Sequence, residues 1–217
     1  DALDEGLVTM IGEEVLDAYL DAVYEQRVEQ NDSDPLRVVY TPLNGTGLEC
    51  VSRILKRIGV DDIHVVEQQA KPDGKFPTCP YPNPESRDAL ELGIELCEQV
   101  HPDLLLATDP DADRVGIAVK DGQDYKLLSG NEVGVLLLDF ICRSRTQAKS
   151  LPENPVAVTT IVSSSMVDPV ASHYGVEVRR VLTGFKYIGG VIAELEQANR
   201  SNDFIFGFEE SYGYLAG

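Results

Sequence analysis

The segment LRVVYTPLNGTGLECVSRILKRIGVDDIHVVEQ, residues 36–68, decides the fold class of this chain. It opens with a β-branched run at 36–42, of the kind that forms a buried parallel strand. A glycine-rich turn at 43–47 leads into a helical stretch whose end is marked by Gly59. An apolar run at 63–68 follows as the second strand. Because such crossovers join parallel strands, the segment predicts an α/β fold.

The sequence on both sides of this unit continues the alternation. Residues 12–29 repeat apolar positions with the helical period, which predicts an amphipathic helix. Residues 69–84 hold five prolines, which predict a long ordered loop because proline cannot donate ladder hydrogen bonds. After a helix at 85–99, residues 103–129 are typical of a strand, a loop, a second strand, an Asp-Gly turn and a third strand.

A second cycle of alternating elements follows a helix at 130–143 and a polar stretch. Its predicted strands and helices are, in order, 157–162, 163–175, 176–182, 187–200 and 204–209. The fold class is therefore α/β, with two consecutive, mixed and largely parallel βαβ-type domains. The predicted limits are a linker helix at 1–30, one domain at 31–148 and another at 149–217.

Composition and charge narrow the classes of protein. The 217 residues include 43% apolar residues, enough for a substantial core. A net charge of −19 repels phosphate backbones, so we expect no nucleic-acid partner. There is no apolar run of membrane-span length and no signal-peptide pattern, so we expect no membrane partner. The four cysteines lack CxxC spacing, which favours free thiols and a cytoplasmic location.

The segment DPDADR, residues 109–114, is the sharpest candidate for chemistry. Asp109, Asp111 and Asp113 alternate after an apolar strand and could aim oxygens at a hard cation such as Mg²⁺. An EF-hand is excluded because its sixth and twelfth positions would be arginine and lysine here. The alternative interpretation is that the aspartates only keep a surface turn solvated. The position of the loop favours a ligand site, because ligands of open α/β sheets bind at the carboxyl ends of strands. The fork of Arg114 suits a phosphate beside that cation.

Two further turns follow predicted strands. Thr183, Gly184 and Lys186 precede a helix, where amides, helix dipole and ammonium together favour an anion. The stretch GFEES contributes Glu209 and Ser211, whose oxygens can bind vicinal sugar hydroxyls. Taken alone, TGFK is a weak signal, and acidic turns such as GFEES often occur without a ligand.

Together, DPDADR, TGFK and GFEES resemble, in the same order, loops of the α-D-phosphohexomutase family, which includes phosphoglucomutase and phosphomannomutase. The segments at 41–47, 72–85 and 127–137 are also similar to that family. The resemblance covers the family's second domain and most of its third.

The resemblance implies a Mg²⁺-dependent enzyme of four domains that moves a phosphoryl group between C1 and C6 of a hexose phosphate. It implies a phosphoserine and a hexose 1,6-bisphosphate intermediate. By the family's motifs, three aspartates hold Mg²⁺, a catalytic arginine contacts the phosphoserine, a catalytic lysine contacts substrate or assists proton transfer, and four residues bind substrate. In this sequence the motifs place the metal ligands at Asp109, Asp111 and Asp113. The catalytic arginine is Arg114 and the catalytic lysine is Lys186. The substrate-binding residues are Thr183, Gly184, Glu209 and Ser211.

One departure from the family concerns the phosphoserine, whose loop is absent from this sequence. The stretch VASHYG at 170–175 resembles it only superficially, and we expect Ser172 to be structural. The resemblance therefore implies that a first and a fourth domain are missing partners of this chain. We expect the chain alone to be inactive and to bind Mg²⁺ weakly.

The favoured substrates are glucose 1-phosphate and glucose 6-phosphate, with mannose phosphates also considered. A phosphopentomutase of the same family and a non-catalytic module that binds metal or sugar phosphate are the alternatives. A glycosyltransferase with a DxD metal site is disfavoured because no nucleotide-binding pattern accompanies the triad.

Overall fold

The fold is taken from a computed structural model, which describes residues 2–28 and 35–217. Two mixed sheets follow one another along the chain, with strand orders β2-β1-β3-β4-β5 and β7-β6-β8-β9. The first set of elements is α1 (Glu13–Glu25), β1 (Arg37–Thr41), α2 (Leu48–Arg57), β2 (Asp62–Val65), α3 (Glu91–Val100), β3 (Leu104–Thr108), β4 (Val115–Asp121) and β5 (Asp124–Leu128). The second is α4 (Gly130–Gln147), β6 (Val156–Thr160), α5 (Val167–Tyr174), β7 (Glu177–Val181), α6 (Phe185–Gln197), β8 (Phe204–Phe208) and β9 (Tyr214–Ala216).

The first sheet is built around the predicted βαβ unit. Strand β1 pairs in parallel with both β2 and β3, whereas β4 and β5 are antiparallel additions joined by a tight hairpin. Gly122 has φ 64° in that hairpin turn, as expected for a predicted Asp-Gly turn. Helix α3 covers one face, where Val39, Leu90, Cys97 and Leu105 form the core.

Helix α1 packs beside α2 largely through ion pairs. Arg53 lies 2.7 Å from Glu13 and Arg57 lies 2.6 Å from Asp21. Leu20, only 1% exposed, is its buried apolar anchor. The helix predicted at 12–29 ends at Glu25, and the predicted domain start at residue 31 lies outside the described residues.

The second sheet lies between helices. Strands β6 and β8 are buried along their whole length. Leu138 and Cys142 of α4 share a core with α5 and with Phe206 and Phe208 of β8. On the other face α6 contributes Ile188 and Leu195 to a second cluster. The result is a three-layer arrangement in which parallel strands are covered on both faces.

The packing of α4 bears on the domain limits. Its buried face belongs to the core under the second sheet, although residues 130–148 are assigned above to the earlier domain. The limits remain predictions, and the packing favours a division near Ser129, between β5 and α4.

The α/β class with mixed sheets is confirmed. The short strand β9, which was not predicted, pairs antiparallel with β8. Its three residues follow a turn and are too few to show a strand period. Within the described part of the chain, the helices are all too short or too polar to cross a membrane.

Candidate functional site

The DPDADR loop brings its three aspartates together at the carboxyl end of β3. One carboxylate oxygen from each of Asp109, Asp111 and Asp113 lies within 4.8 Å of the others. The loop reverses at Ala112, which has φ 59° and whose N–H donates to the Asp109 carbonyl at 3.0 Å. This left-handed residue folds the alternating carboxylates toward one point instead of leaving them along an extended strand.

Asp109 is 1% exposed and is held by Arg114. The backbone N–H and Nε of Arg114 donate to its two carboxylate oxygens at 3.1 and 2.8 Å. Burial alone would lower the pKa of Arg114, but its bond to Asp109 and the nearby carboxylates raise it. Burial, a hydrogen bond with Asp109 and the neighbouring negative charges raise the pKa of Asp113. The loop thus concentrates negative charge that a cation would neutralise.

The glycine-rich loop after β1 forms a wall against this cluster. The Thr46 N–H donates to the Pro110 carbonyl at 2.9 Å. A Cβ on Gly45 would lie 2.3 Å from Pro110 Cα, and one on Gly47 would lie 2.7 Å from Thr108 Oγ1. Gly45 is therefore required by the close approach of the loops that follow β1 and β3, and Gly47 by the nearby side chain at the end of β3.

A buried polar network fixes the five-proline loop to the glycine-rich loop. Asn44, itself at φ 58°, donates to the Lys71 carbonyl and accepts from Thr78 Oγ1 at 3.2 Å. Gln69, 1% exposed, accepts from Thr41 and donates to Thr78. The sequence did not predict this network, because no local pattern indicates that the side-chain amides of Asn44 and Gln69 are buried together.

The five-proline loop forms the other wall of an open groove over the aspartates. Asn83 Oδ1 lies 3.5 Å from a guanidinium nitrogen of Arg114. The groove is lined by Thr46, Phe76, Tyr81, Pro82, Asn83, Asp109, Pro110, Asp111 and Arg114. It is therefore open to solvent beside both the carboxylates and the arginine.

The TGFK and GFEES loops meet at the carboxyl end of the second sheet. Gly184 N–H donates to a carboxylate oxygen of Glu209, which is 6% exposed. A Cβ on Gly213 would lie 2.3 Å from the ring of Phe185. Gly184 has φ 125° and ψ 125°, a conformation that favours glycine at this turn into α6.

The DPDADR and GFEES loops are joined directly. The N–H of Val115, next to Arg114, donates to the Tyr212 carbonyl at 3.1 Å, next to Ser211. Tyr212 has φ 70° and donates its hydroxyl to the Leu128 carbonyl at 2.9 Å. The GFEES loop is thus held to the first sheet as well as to the second.

Glu210 has different hydrogen-bond partners from its neighbour Glu209. Its Oε2 accepts from Thr160 Oγ1 at 2.8 Å and lies 3.3 Å from Ser163 Oγ. Thr160 is fully buried and Ser163 is 8% exposed. Glu210, Thr160 and Ser163 were not among the predicted site residues. The sequence signal that could have identified the two hydroxyl residues is the run of threonines and serines at the end of an apolar strand.

The remaining predicted residues occupy distinct positions. Lys186 is exposed in the first turn of α6, with Nζ 4.9 Å from the ring centroid of Tyr187. Thr183 is exposed and Ser211 is half-buried in the loops described above. Ser172 lies in the last turn of α5 and not in a loop that follows a strand.

The profile for phosphoglucomutase/phosphomannomutase, alpha/beta/alpha domain II, matches residues 17–122. The profile for domain III of the same family matches residues 129–217.

Individual proteins agree with these profiles. A phosphomannomutase of Mycoplasmoides pirum is 33% identical over 99% of this chain and 38% of its own length. A phosphoglucomutase of Staphylococcus aureus is 40% identical over 83% of this chain and 32% of its own length. The chain therefore spans about a third of the length of these relatives.

Solved structures share the fold. A phosphoglucomutase/phosphomannomutase family protein from Burkholderia thailandensis superposes with a TM-score of 0.68 at 19% identity, over 91% of this chain and 39% of that one. An N-acetylglucosamine-phosphate mutase in its substrate complex gives 0.57 at 19% identity, over 93% and 37%.

Proposed function

Because the chain belongs to the phosphoglucomutase/phosphomannomutase family, we propose that it supplies the metal and sugar loops of an enzyme that interconverts glucose 1-phosphate and glucose 6-phosphate. The observation that carries the proposal is the joining of the DPDADR and GFEES loops through Val115 and Tyr212. This bond supports the proposal, because it would set the proposed phosphoryl site beside the proposed hydroxyl-binding site. A sugar phosphate needs both.

The aspartate cluster fits Mg²⁺ by its chemistry. All three donors are carboxylates, one oxygen of each lies within 4.8 Å of the others, and hard divalent cations prefer oxygen ligands. Asp109, Asp111 and Asp113 would hold the ion. When bound, it supplies positive charge to the transferring phosphoryl group.

Arg114 and Lys186 are proposed as the catalytic cations of this chain. A loose phosphoryl-transfer transition state spreads negative charge over its oxygens, so positioned cations are the main need. Arg114 is oriented by Asp109 and borders the open groove, where it would bind the phosphoryl group of a phosphoserine. Lys186 lies in the first turn of α6, where it would bind the substrate phosphate or assist proton transfer.

The sugar is assigned to the TGFK and GFEES loops. Glu209 uses one carboxylate oxygen for Gly184 and retains acceptor capacity for a sugar hydroxyl. Ser211 would bind a neighbouring hydroxyl, and Thr183 and Gly184 would border the same sugar. The hexose 1,6-bisphosphate formed by the first transfer would reorient here before the return transfer.

We further propose that the reactive serine and a phosphate-binding domain lie in a longer polypeptide. The relatives support this, because they are about three times as long as the matched region and bear phosphomutase names. A cytoplasmic location is proposed on the four free cysteines. The hexose phosphate and its bisphosphate are the proposed partners, with no nucleic acid and no membrane.

The test is an assay of the full-length protein that carries this chain. With Mg²⁺ it should convert glucose 1-phosphate to glucose 6-phosphate, and Asp111→Asn should lower kcat/KM about 100-fold or more, the scale of losing a preorganised charge contact. Asp121→Asn, an exposed acid in the β4–β5 hairpin, is the matched control and should retain the rate.

Other outcomes rank the alternatives. Faster turnover of mannose or pentose phosphates would reassign the sugar within the same family. Metal binding without turnover of any sugar phosphate would replace the enzyme with a binding module. Turnover by residues 1–217 alone would contradict the proposed need for an external serine.

A further inference from the structure

We infer that Glu210 is a positioning residue. It anchors the GFEES loop to strand β6 and helps to fix the position of the GFEES loop relative to the TGFK loop, which leads into α6. The inference rests on the proposed function, since it concerns how the same sugar site is held. In this proposal Glu209 and Ser211 bind the substrate, whereas Glu210, which lies between them, binds Thr160 and Ser163 of the protein.

The anchor begins with two buried hydroxyls. Thr160 Oγ1 donates to Glu210 Oε2 at 2.8 Å, and Ser163 Oγ lies 2.9 Å from Thr160 Oγ1. Thr160 is fully buried and Ser163 nearly so. Hydrogen bonds from buried hydroxyls to an ionised carboxylate are stronger than neutral ones, so this contact fixes the side chain.

The anchor continues into the neighbouring strand through Arg180. Its guanidinium donates to the carbonyls of Thr160 at 3.3 Å and Ser163 at 3.4 Å. One nitrogen of the same group, Nη2, donates to both carboxylate oxygens of Asp168 at 3.0 Å each. Arg180 thus ties the hydroxyl pair to α5 and to β7.

Strand β7 leads directly into the other substrate loop. Three residues separate Arg180 from Gly184, whose N–H binds Glu209. The two sugar-site loops are therefore connected twice, once directly through Glu209 and once through Glu210 and β6. A loop held at two consecutive side chains is already ordered before the sugar binds, which lowers the entropic cost of binding.

The main test measures kcat and KM of the full-length enzyme for its sugar phosphate. Glu210→Ala and Thr160→Val should each raise KM about tenfold, the scale of losing a charged hydrogen bond, with kcat changing less. Glu210→Gln and Thr160→Ser should stay within about threefold of the parent, because the amide oxygen still accepts and the serine hydroxyl still donates. Glu196→Ala, an exposed glutamate on α6, is the matched control.

A second readout does not depend on turnover. Amide hydrogen exchange in residues 183–187 and 207–214 should accelerate in Glu210→Ala and Thr160→Val, but not in Glu210→Gln or Glu196→Ala. A protein that turns over no sugar phosphate would refute the proposed function, while the exchange data would still decide the anchor. The anchor is overturned if Glu210→Ala leaves KM and exchange unchanged, or if Glu210→Gln is as impaired as Glu210→Ala.

Discussion

At the scale of single residues, the three aspartates of the candidate metal site differ in burial and in hydrogen bonding. Asp109 is buried and bound to Arg114, whereas Asp111 and Asp113 are exposed. A buried carboxylate is costly unless it is paired and hydrogen-bonded, and Arg114 supplies both. Asp109 therefore fixes the loop, and the two exposed aspartates complete the cluster.

Substitution of Gly45 tests how far the aspartate cluster depends on the glycine-rich loop that packs against it. The Cβ of Gly45→Ala would lie 2.3 Å from Pro110 Cα, so the DPDADR loop would have to shift. We expect a loss of about 1–3 kcal/mol in the free energy of unfolding, measured by urea denaturation, and weaker Mg²⁺ binding by calorimetry. Gly74→Ala has nothing within 4 Å of the new Cβ and is the control. Equal behaviour of the two variants would refute the requirement for close approach.

At the scale of elements, α4 connects the two sheets. Its N-terminus is capped by Ser129 and Glu132, which exchange hydrogen bonds in a capping box. A Cβ on Gly130 would lie 2.0 Å from the Glu210 carbonyl oxygen, so the helix begins directly beneath the GFEES loop. The helix then packs on β8, the strand that ends in that loop.

Gly134 and Gly190 form a matched pair of helical glycines. The Cβ of Gly134→Ala would lie 2.3 Å from the Phe208 ring, whereas that of Gly190→Ala would meet nothing within 4 Å. We expect Gly134→Ala to cost about 1–3 kcal/mol through overpacking. Gly190→Ala should stabilise by about 0.4–1 kcal/mol through reduced freedom of the unfolded chain. Urea denaturation measures both, and a stabilising Gly134→Ala would show that α4 does not pack tightly on β8.

At the scale of the whole molecule, the net charge of −19 would oppose the proposed binding of anionic sugar phosphates. Local cations would have to offset this charge, and Arg114, Lys186 and the proposed Mg²⁺ lie at or near the carboxyl ends of the strands. A ligand that binds the folded state alone stabilises that state by mass action. Metal binding should therefore appear as a shift in the Tm of the chain.

Mg²⁺ at ten times its Kd should stabilise the chain by about 1.4 kcal/mol, which raises Tm by about 3–6 °C for a chain of this size. Asp111→Asn should lose this shift, whereas without Mg²⁺ its Tm should not fall, because the change removes one of three clustered like charges. Asp121→Asn should keep the shift at matched ionic strength. A full shift in Asp111→Asn would exclude this cluster as the site, and submicromolar affinity would contradict the expected weak binding.

The sequence by itself determined the α/β class, the βαβ unit at 36–68 and the place of DPDADR after a strand. These features follow from local periodicity and turn chemistry, which act over a few residues. The carboxyl ends of parallel strands meet at one edge of a sheet, so the position of the loop could also be predicted. Gly59, at φ 89°, ends α2 as expected.

Only the tertiary structure decided which loops touch. The bonds from Val115 to Tyr212 and from Gly184 to Glu209 depend on strand order and on how α4 packs, which no local pattern encodes. The same is true of Glu210, whose partners Thr160 and Ser163 lie about fifty residues earlier. Side chains of one type, such as Glu209 and Glu210, acquire different roles because each is placed among different neighbours by the packed sheet.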